Sequence, residues 1–193
     1  MDNQDIRTLK ILEEIDTDSL PSQRDLAKKL NVSLGLVNSF IKRLVQKGYF
    51  KISTIPKNRV RYILTPKGAA EKSRLTYEYI RYSFQFYKVA RKKLQKIFKT
   101  LEKENVQNIV FYGVSDLTEI AFISLQETSL QLVAVVDDIK IDEKFLNFGI
   151  ADPAKLISFI FDRVVVTDME QRETILGRLQ ARGITRDKIV VFD

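Results

Sequence analysis

The chain of 193 residues has no cysteine, no histidine and no tryptophan, and only four prolines and seven glycines. Without cysteine or histidine, disulfides, zinc-finger ligand sets, thiol nucleophiles and imidazole acid-base catalysis are all excluded. No run approaches the roughly 18 to 20 uninterrupted apolar residues that a membrane span needs. The opening stretch MDNQDIRTLKILEEI places acids where a secretion signal would need a basic start. A cytoplasmic protein with no membrane partner is the expectation. Hydrophobic residues make up 45% of the chain, enough to build the cores of one large or two small domains.

Acidic residues are scarce in one region. Residues 19–67 hold 11 Lys and Arg against a single acid, Asp25, the footprint of a module that binds a polyanion. Residues 1–104 carry 23 basic and 11 acidic side chains (+12), whereas residues 105–193 carry 9 and 14 (−5). The two parts have opposite signs, which suggests two domains with different partners.

In the basic part, Ile6, Leu9, Leu12 and Ile15 recur at helical spacing. SQRDLAKKLNV reads as a second helix, with Ser22 as N-cap, Asp25 three residues on, and an apolar stripe of Leu26, Ala27 and Leu30. Ser33 caps a third helix with the apolar face Val37, Ile41 and Leu44, ending at Lys47 and Gly48. Together these are a helix-turn-helix. After Gly48 the period changes to alternation, and YFKIST and VRYILT read as two strands joined by a tip of Pro56, Lys57, Asn58 and Arg59. Such a wing can reach a phosphate or the minor groove while the third helix enters the major groove, and Lys57, Arg59 and Arg61 suit that contact.

SQRDLAKKLNVSLGLVNSFIKRLVQKGYF, followed by LTPKGAAEKSRLT, resembles the winged helix-turn-helix regulators of the MarR class, and within it the small group associated with exopolysaccharide gene clusters. The resemblance covers roughly residues 5 to 95. It implies double-stranded DNA as partner, with Ser33 capping the recognition helix and touching phosphate. It further implies that Leu34, Gly35, Leu36, Asn38 and Ser39 face the bases and that Lys42 and Arg43 approach the backbone. Ser22, Gln23, Arg24 and Asn58 complete the expected DNA-binding set. By chemistry Asn38 can pair with adenine and Leu36 can touch a thymine methyl, although a leucine here serves equally well as core.

Between Ala69 and Glu104 there is no proline or glycine, so the spacing predicts one long helix or two with a break. Leu75, Tyr79, Tyr82, Phe86 and Val89 repeat in steps of four and three, and Leu94, Ile97, Phe98 and Leu101 resume the stripe after a shift. Tyr77, Phe84 and Tyr87 add a second apolar face. One stripe can pack on the winged domain and the other on a second copy, which predicts a homodimer; packing of that stripe against the chain's own second domain is the alternative.

In the acidic part, NIVFYG, LQLVAVVDD, DRVVVTD and KIVVFD are apolar runs suited to parallel strands buried on both faces. DLTEIAFISLQET, DPAKLISFIF and DMEQRETILGRLQARG between them read as helices. The expected fold class is therefore α/β overall: a winged helix-turn-helix (1–68), a long connecting helix (69–105), and a small doubly wound, Rossmann-like parallel sheet (106–193). The expected strand order is 3-2-1-4-5, with a short extra edge strand near FLNFGI. At the first strand-helix turn the dinucleotide fingerprint G-x-G-x-x-G falls on Gly113, Ser115 and Thr118, so only the first glycine is present. Asp116 adds a negative charge at the helix start, and the second strand ends in Asp137 and Asp138, placed for a ribose hydroxyl.

YGVSDLTEIA followed by LVAVVDD resembles the N-terminal nucleotide-binding lobe attached to some polysaccharide-biosynthesis enzymes. That resemblance implies a nucleotide or a nucleotide sugar as ligand or effector, with NAD(H) a further candidate; Gly113, Ser115, Asp116, Asp137 and Asp138 are the candidate ligand residues, and a ligand-free docking or dimerisation domain is the alternative. No cofactor is required by the residues themselves, and no acid-base pair, nucleophile or metal cluster can be assembled. The reading is a DNA-binding transcription regulator rather than an enzyme. A dinucleotide or nucleotide-sugar enzyme with a basic accessory domain, and a non-specific nucleic-acid scaffold, are the alternatives.

Overall fold

The computed structural model describes residues 1–17, 21–55 and 59–192, which form two compact units, residues 1–85 and 86–193. The first unit contains α1 (Asn3–Ile15), α2 (Gln23–Lys29), α3 (Leu34–Gln46), β1 (Phe50–Ile55), β2 (Arg59–Leu64) and the first part of α4 (Pro66–Lys103). Each short helix begins on a side-chain cap: Asp2 on α1, Ser22 on α2 and Ser33 on α3. Such caps are each worth about 1 kcal/mol. The left-handed Asn31 ends α2 and the left-handed Gly48 ends α3. Leu12, Leu26, Val37, Ile41, Leu44, Phe50 and Leu75 meet in one core, each burial contributing roughly 1.5–3 kcal/mol.

The TPKG stretch is a joint. The Thr65 hydroxyl donates to the carbonyl of Gly48 at 2.6 Å and accepts from the Gly68 backbone nitrogen at 3.0 Å, capping α4 over the end of α3. Pro66 follows, where a missing N–H costs nothing. A Cβ on Gly68 would lie 1.8 Å from the Tyr49 carbonyl oxygen, so only glycine permits this approach.

The second unit comprises the remainder of α4, β3 (Asn108–Tyr112), α5 (Asp116–Leu125), β4 (Gln131–Val136), β5 (Lys144–Phe145), β6 (Phe148–Ala151), β7 (Arg163–Val166), α6 (Arg172–Ala181) and β8 (Ile189–Val191). The sheet order is β5-β6-β4-β3-β7-β8, so the five parallel strands run in the expected 3-2-1-4-5 order. β5 pairs antiparallel with β6, which makes the sheet mixed rather than wholly parallel. Alternate strand residues face opposite layers: Ile109, Phe111 and Val135 pack with α4 and α5, while Val110, Tyr112 and Val136 pack with α6. DPAKLISFIF, expected as an α-helix, forms only a 3-10 helix over Pro153–Ser158. Within that helix Pro153 and Leu156 alone are buried, too little apolar surface to hold several α-turns. The segment 66–103 is a single unbroken helix. Among the described residues no helix is long and apolar enough to cross a membrane.

Candidate nucleic-acid interface

The exposed side of α3 follows from its buried side. Val37, Phe40, Ile41 and Leu44 enter the core, which turns Leu34, Gly35, Ser39 and Lys42 outward, all exposed. Ser22 and Arg24 at the start of α2 are exposed too. With Gln23, Leu34, Val60 and Tyr62 they line an open cleft of about 610 Å³ between the starts of α2 and α3 and the hairpin. Of these, Val60 and Tyr62 escaped the sequence reading, because strand alternation does not say which face of a hairpin borders a neighbouring helix.

The sole acid of this region is engaged in a helix cap. Asp25 accepts from the Ser22 hydroxyl at 2.6 Å and the Ser22 backbone nitrogen at 2.9 Å. The Ser22 side-chain bond, then its backbone bond, hold the Asp25 carboxyl below its ordinary range. The role of the acid here is to build the start of α2.

Three expected base-facing or backbone-facing residues have other surroundings. Leu36 is half-buried against the core of the unit, because its position on α3 lies at the flank of the buried stripe. Arg43 is held within the domain, donating to Gln4 at 3.0 Å with its guanidinium carbon 4.5 Å above the Phe40 ring. Asn38 is half-buried at the edge of the outward face, and its side-chain oxygen is buried with no hydrogen-bond partner. An unpaired buried acceptor is costly in the free protein. Arg61 is exposed on β2. Lys57 and Asn58 lie outside the described residues, as does the side chain of Arg59.

The second unit places its expected ligand residues at the ends of β3, β4 and β7. Gly113 has φ +97°, and a Cβ there would lie 2.4 Å from Cβ of Asp168. Its carbonyl accepts from the hydroxyls of Thr118 at 2.8 Å and Thr167 at 2.6 Å. Ser115 caps α5 and donates to the Thr167 carbonyl at 2.7 Å, and its backbone nitrogen donates to Thr118 at 2.9 Å. Asp137 accepts from the backbone nitrogens of Val114 (2.8 Å), Ile139 (2.8 Å) and Lys140 (2.9 Å). Burial raises its carboxyl, but these bonds and the Lys140 charge outweigh it and leave the group below its ordinary value.

The Asp137 carboxylate and the Thr118 hydroxyl thus accept from the Val114 and Ser115 backbone nitrogens, the role that a bound phosphate would otherwise take. Asp138 points elsewhere, accepting from the Tyr112 hydroxyl at 3.0 Å and pairing with Arg178 at 2.5 Å. Burial and Asp138 push the Tyr112 hydroxyl up to about 12. Ser115, Asp116 and Asp137 share an open cavity of about 450 Å³ with Lys140, Asp168 and Glu170, whereas Asp138 does not line it. Among the described residues no group of carboxylates is placed to hold a metal ion.

The chain is similar to known families in two separate stretches. Residues 4–51 match the winged helix-turn-helix DNA-binding family, and residues 105–190 match the family described as C2185-like, N-terminal. No curated protein matches. Among solved structures, MepR, a transcription regulator of the Staphylococcus aureus multidrug efflux pump MepA, is 21% identical, with 45% of this chain and 63% of MepR covered and a TM-score of 0.38. The zinc-dependent MarR-family regulator AdcR is 22% identical over 54% of this chain and 75% of its own, with a TM-score of 0.37. RSP, a Rex-family repressor, is 16% identical over 99% of this chain and 86% of its own, with a TM-score of 0.37. The chain spans less than two thirds of MepR. The family match and the geometry of α2, α3 and the hairpin agree: the N-terminal part of this chain is a winged helix-turn-helix DNA-binding domain.

Proposed function

We propose that the protein is a transcription regulator that binds duplex DNA as a homodimer and carries a Rossmann-like regulatory domain. The observation that carries this reading is the outward face of α3, where Leu34, Gly35, Ser39 and Lys42 are exposed beside a cleft rimmed by Ser22 and Arg24, in a region whose only acid is spent on a cap. α3 enters the major groove, Ser33 and Lys42 meet the backbone, and the hairpin, through Arg61, reaches a flanking phosphate.

Dimerisation is supported by α4, where Tyr77 and Phe84 are 63% and 62% exposed and Tyr79, Ile80 and Tyr82 are also exposed. Tyr77, Ile80 and Phe84 fall within about 60° on one side of the helix, and such an exposed apolar face fits a second copy of the same helix. Two recognition helices related by a two-fold axis then read a pseudo-palindrome.

The cavity beside Ser115 and Asp137 is the effector site of this reading. Because Asp137 and Thr118 already accept from the Val114 and Ser115 nitrogens, and Asp116, Asp168 and Glu170 line the cavity, a neutral sugar or base fits it better than a pyrophosphate. The effector acts by population shift, binding more tightly to one spacing of the recognition helices. Both sequence resemblances point to surface polysaccharide genes as the target.

Selection of binding sites from random duplexes with the purified protein tests the proposal. Enrichment of a palindromic site, with a dimeric mass at working concentration, is the expected result. Binding without sequence preference, or a monomer that binds one half-site, refutes it.

A further inference from the structure

We infer that the second unit carries its own polyanion-binding surface, a ridge of lysines on α4 that lies along the phosphate backbone of duplex DNA without reading bases. The inference rests on the winged domain's role as a DNA binder. Residues 86–101 contain six Lys and Arg and no Asp or Glu. Ala90, Leu94, Phe98 and Leu101 fix the orientation of this part of the helix by packing into the core of the second unit. At about 100° per residue, Lys88, Lys92, Lys96, Lys99 and Lys103 then fall within an arc of about 80° on the opposite side. All five are exposed. They extend over about 22 Å of helix axis, in steps of about 4.5 to 6 Å.

The neighbouring acids do not neutralise the ridge. Glu102 accepts from the Ser129 backbone nitrogen and hydroxyl, Glu104 pairs with Arg163, and Glu127 is taken by Arg91 and Gln95. Lys99 feels Glu102 and Glu127 at longer range. Lys88, Lys92, Lys96 and Lys103 form no ion pair among the described residues.

A helix face that serves only solubility alternates its signs, because like charges three and four residues apart destabilise the helix. Here four successive pairs, from Lys88/Lys92 to Lys99/Lys103, repel one another. They do so on a unit whose remaining residues, 105–193, carry a net −5. A basic stripe set apart on an acidic body directs a polyanion to one line of approach.

The chemistry selects a duplex among polyanions. The arc holds no aromatic platform on which single-stranded bases could stack. A membrane-surface helix would need an apolar face to insert, and on this helix that face is occupied by the protein's own core.

The test uses the full-length protein and a long random-sequence duplex, with affinity followed by fluorescence anisotropy across a salt series. Three variants are compared with the wild type: K88Q/K92Q/K96Q/K99Q on the ridge, K144Q/K155Q/R186Q/K188Q elsewhere on the second unit with the same loss of charge, and R24Q/K42Q on the winged domain. The ridge variant is expected to lower the slope of log K against log salt by roughly 2 to 4, about 0.9 for each phosphate that the protein no longer neutralises. The matched control should stay near the wild-type slope. An unchanged slope in the ridge variant, or equal decreases in ridge variant and control, overturns the inference. Ridge-dependent sedimentation with phosphatidylserine vesicles and no change in DNA slope also overturns it, in favour of a membrane. A reduced slope in the ridge variant with none in R24Q/K42Q leaves the ridge standing and counts against the winged domain.

Discussion

The Asp137 carboxylate accepts a hydrogen bond from the backbone nitrogen of Val114 at 2.8 Å, across the turn that follows the first strand of the sheet. With its bonds to Ile139 and Lys140 it ties the end of β4 to the start of α5. Asp137→Asn keeps the shape, but its amide has one acceptor oxygen where the carboxylate uses two, so it loses either the bond to Val114 or those to Ile139 and Lys140, together with the charge. The second unit is expected to lose about 2 to 3 kcal/mol, the scale of hydrogen bonds to a charged group. Urea unfolding followed by circular dichroism measures this.

The same carboxylate gives the unit an acid limit. Asp137 and Asp162 are both held below their ordinary values, Asp162 by the backbone nitrogens of Asn108 and Gln107. A carboxyl depressed in the folded state contributes stability that is fully present above its unfolded value, about 3.9, and is lost as pH falls through the folded value. Stability should therefore be level above about pH 5 and fall below about pH 4. Asp137→Asn should flatten that fall, which a pH series of thermal melts would detect.

Two glycines separate geometry from function. Gly113→Ala puts a methyl against Asp168 at a positive φ and should cost about 3 kcal/mol or more. Gly35→Ala meets open space inside a helix, so the first unit should gain about 1 kcal/mol. If α3 needs close backbone approach to DNA, Gly35→Ala will at the same time weaken binding. Melting temperature and DNA affinity measured on one preparation should move in opposite directions.

Asn38 holds a buried side-chain oxygen with no partner. Replacing it by alanine removes an unsatisfied acceptor, so stability should hold or rise by up to about 1 kcal/mol. DNA preference at one base step should relax by about 1 to 3 kcal/mol. Arg61→Gln should instead weaken all sequences alike and reduce the salt slope by about 1. Site selection with both variants distinguishes base reading from backbone contact.

Periodicity, caps and charge are enough to locate the helix-turn-helix, its hairpin and the long helix, because each depends on neighbours a few residues apart; the strand order follows instead from the general topology of alternating parallel strands and helices. Ser22 with Asp25 is a local device readable as a helix start, whereas Thr65 with Gly68 escaped the sequence reading, and the long helix begins at Pro66, ahead of the expected 69. The α-helix expected at DPAKLISFIF failed because a 3-10 turn depends on how much apolar surface finds a partner, and that partner lies elsewhere in the chain. Leu36 had two plausible environments until the core chose one. The partner of the Val114 backbone nitrogen is not legible in the sequence; Asp137, 23 residues away, supplies it. The lysines of α4 were countable from the start, but only the burial of Ala90, Leu94, Phe98 and Leu101 lines them up on one outward face. Residue order alone therefore dictates which elements form and where positive charge collects. Which groups remain available to a partner is settled by packing in three dimensions, since that depends on which donors, acceptors and faces the chain has already used on itself.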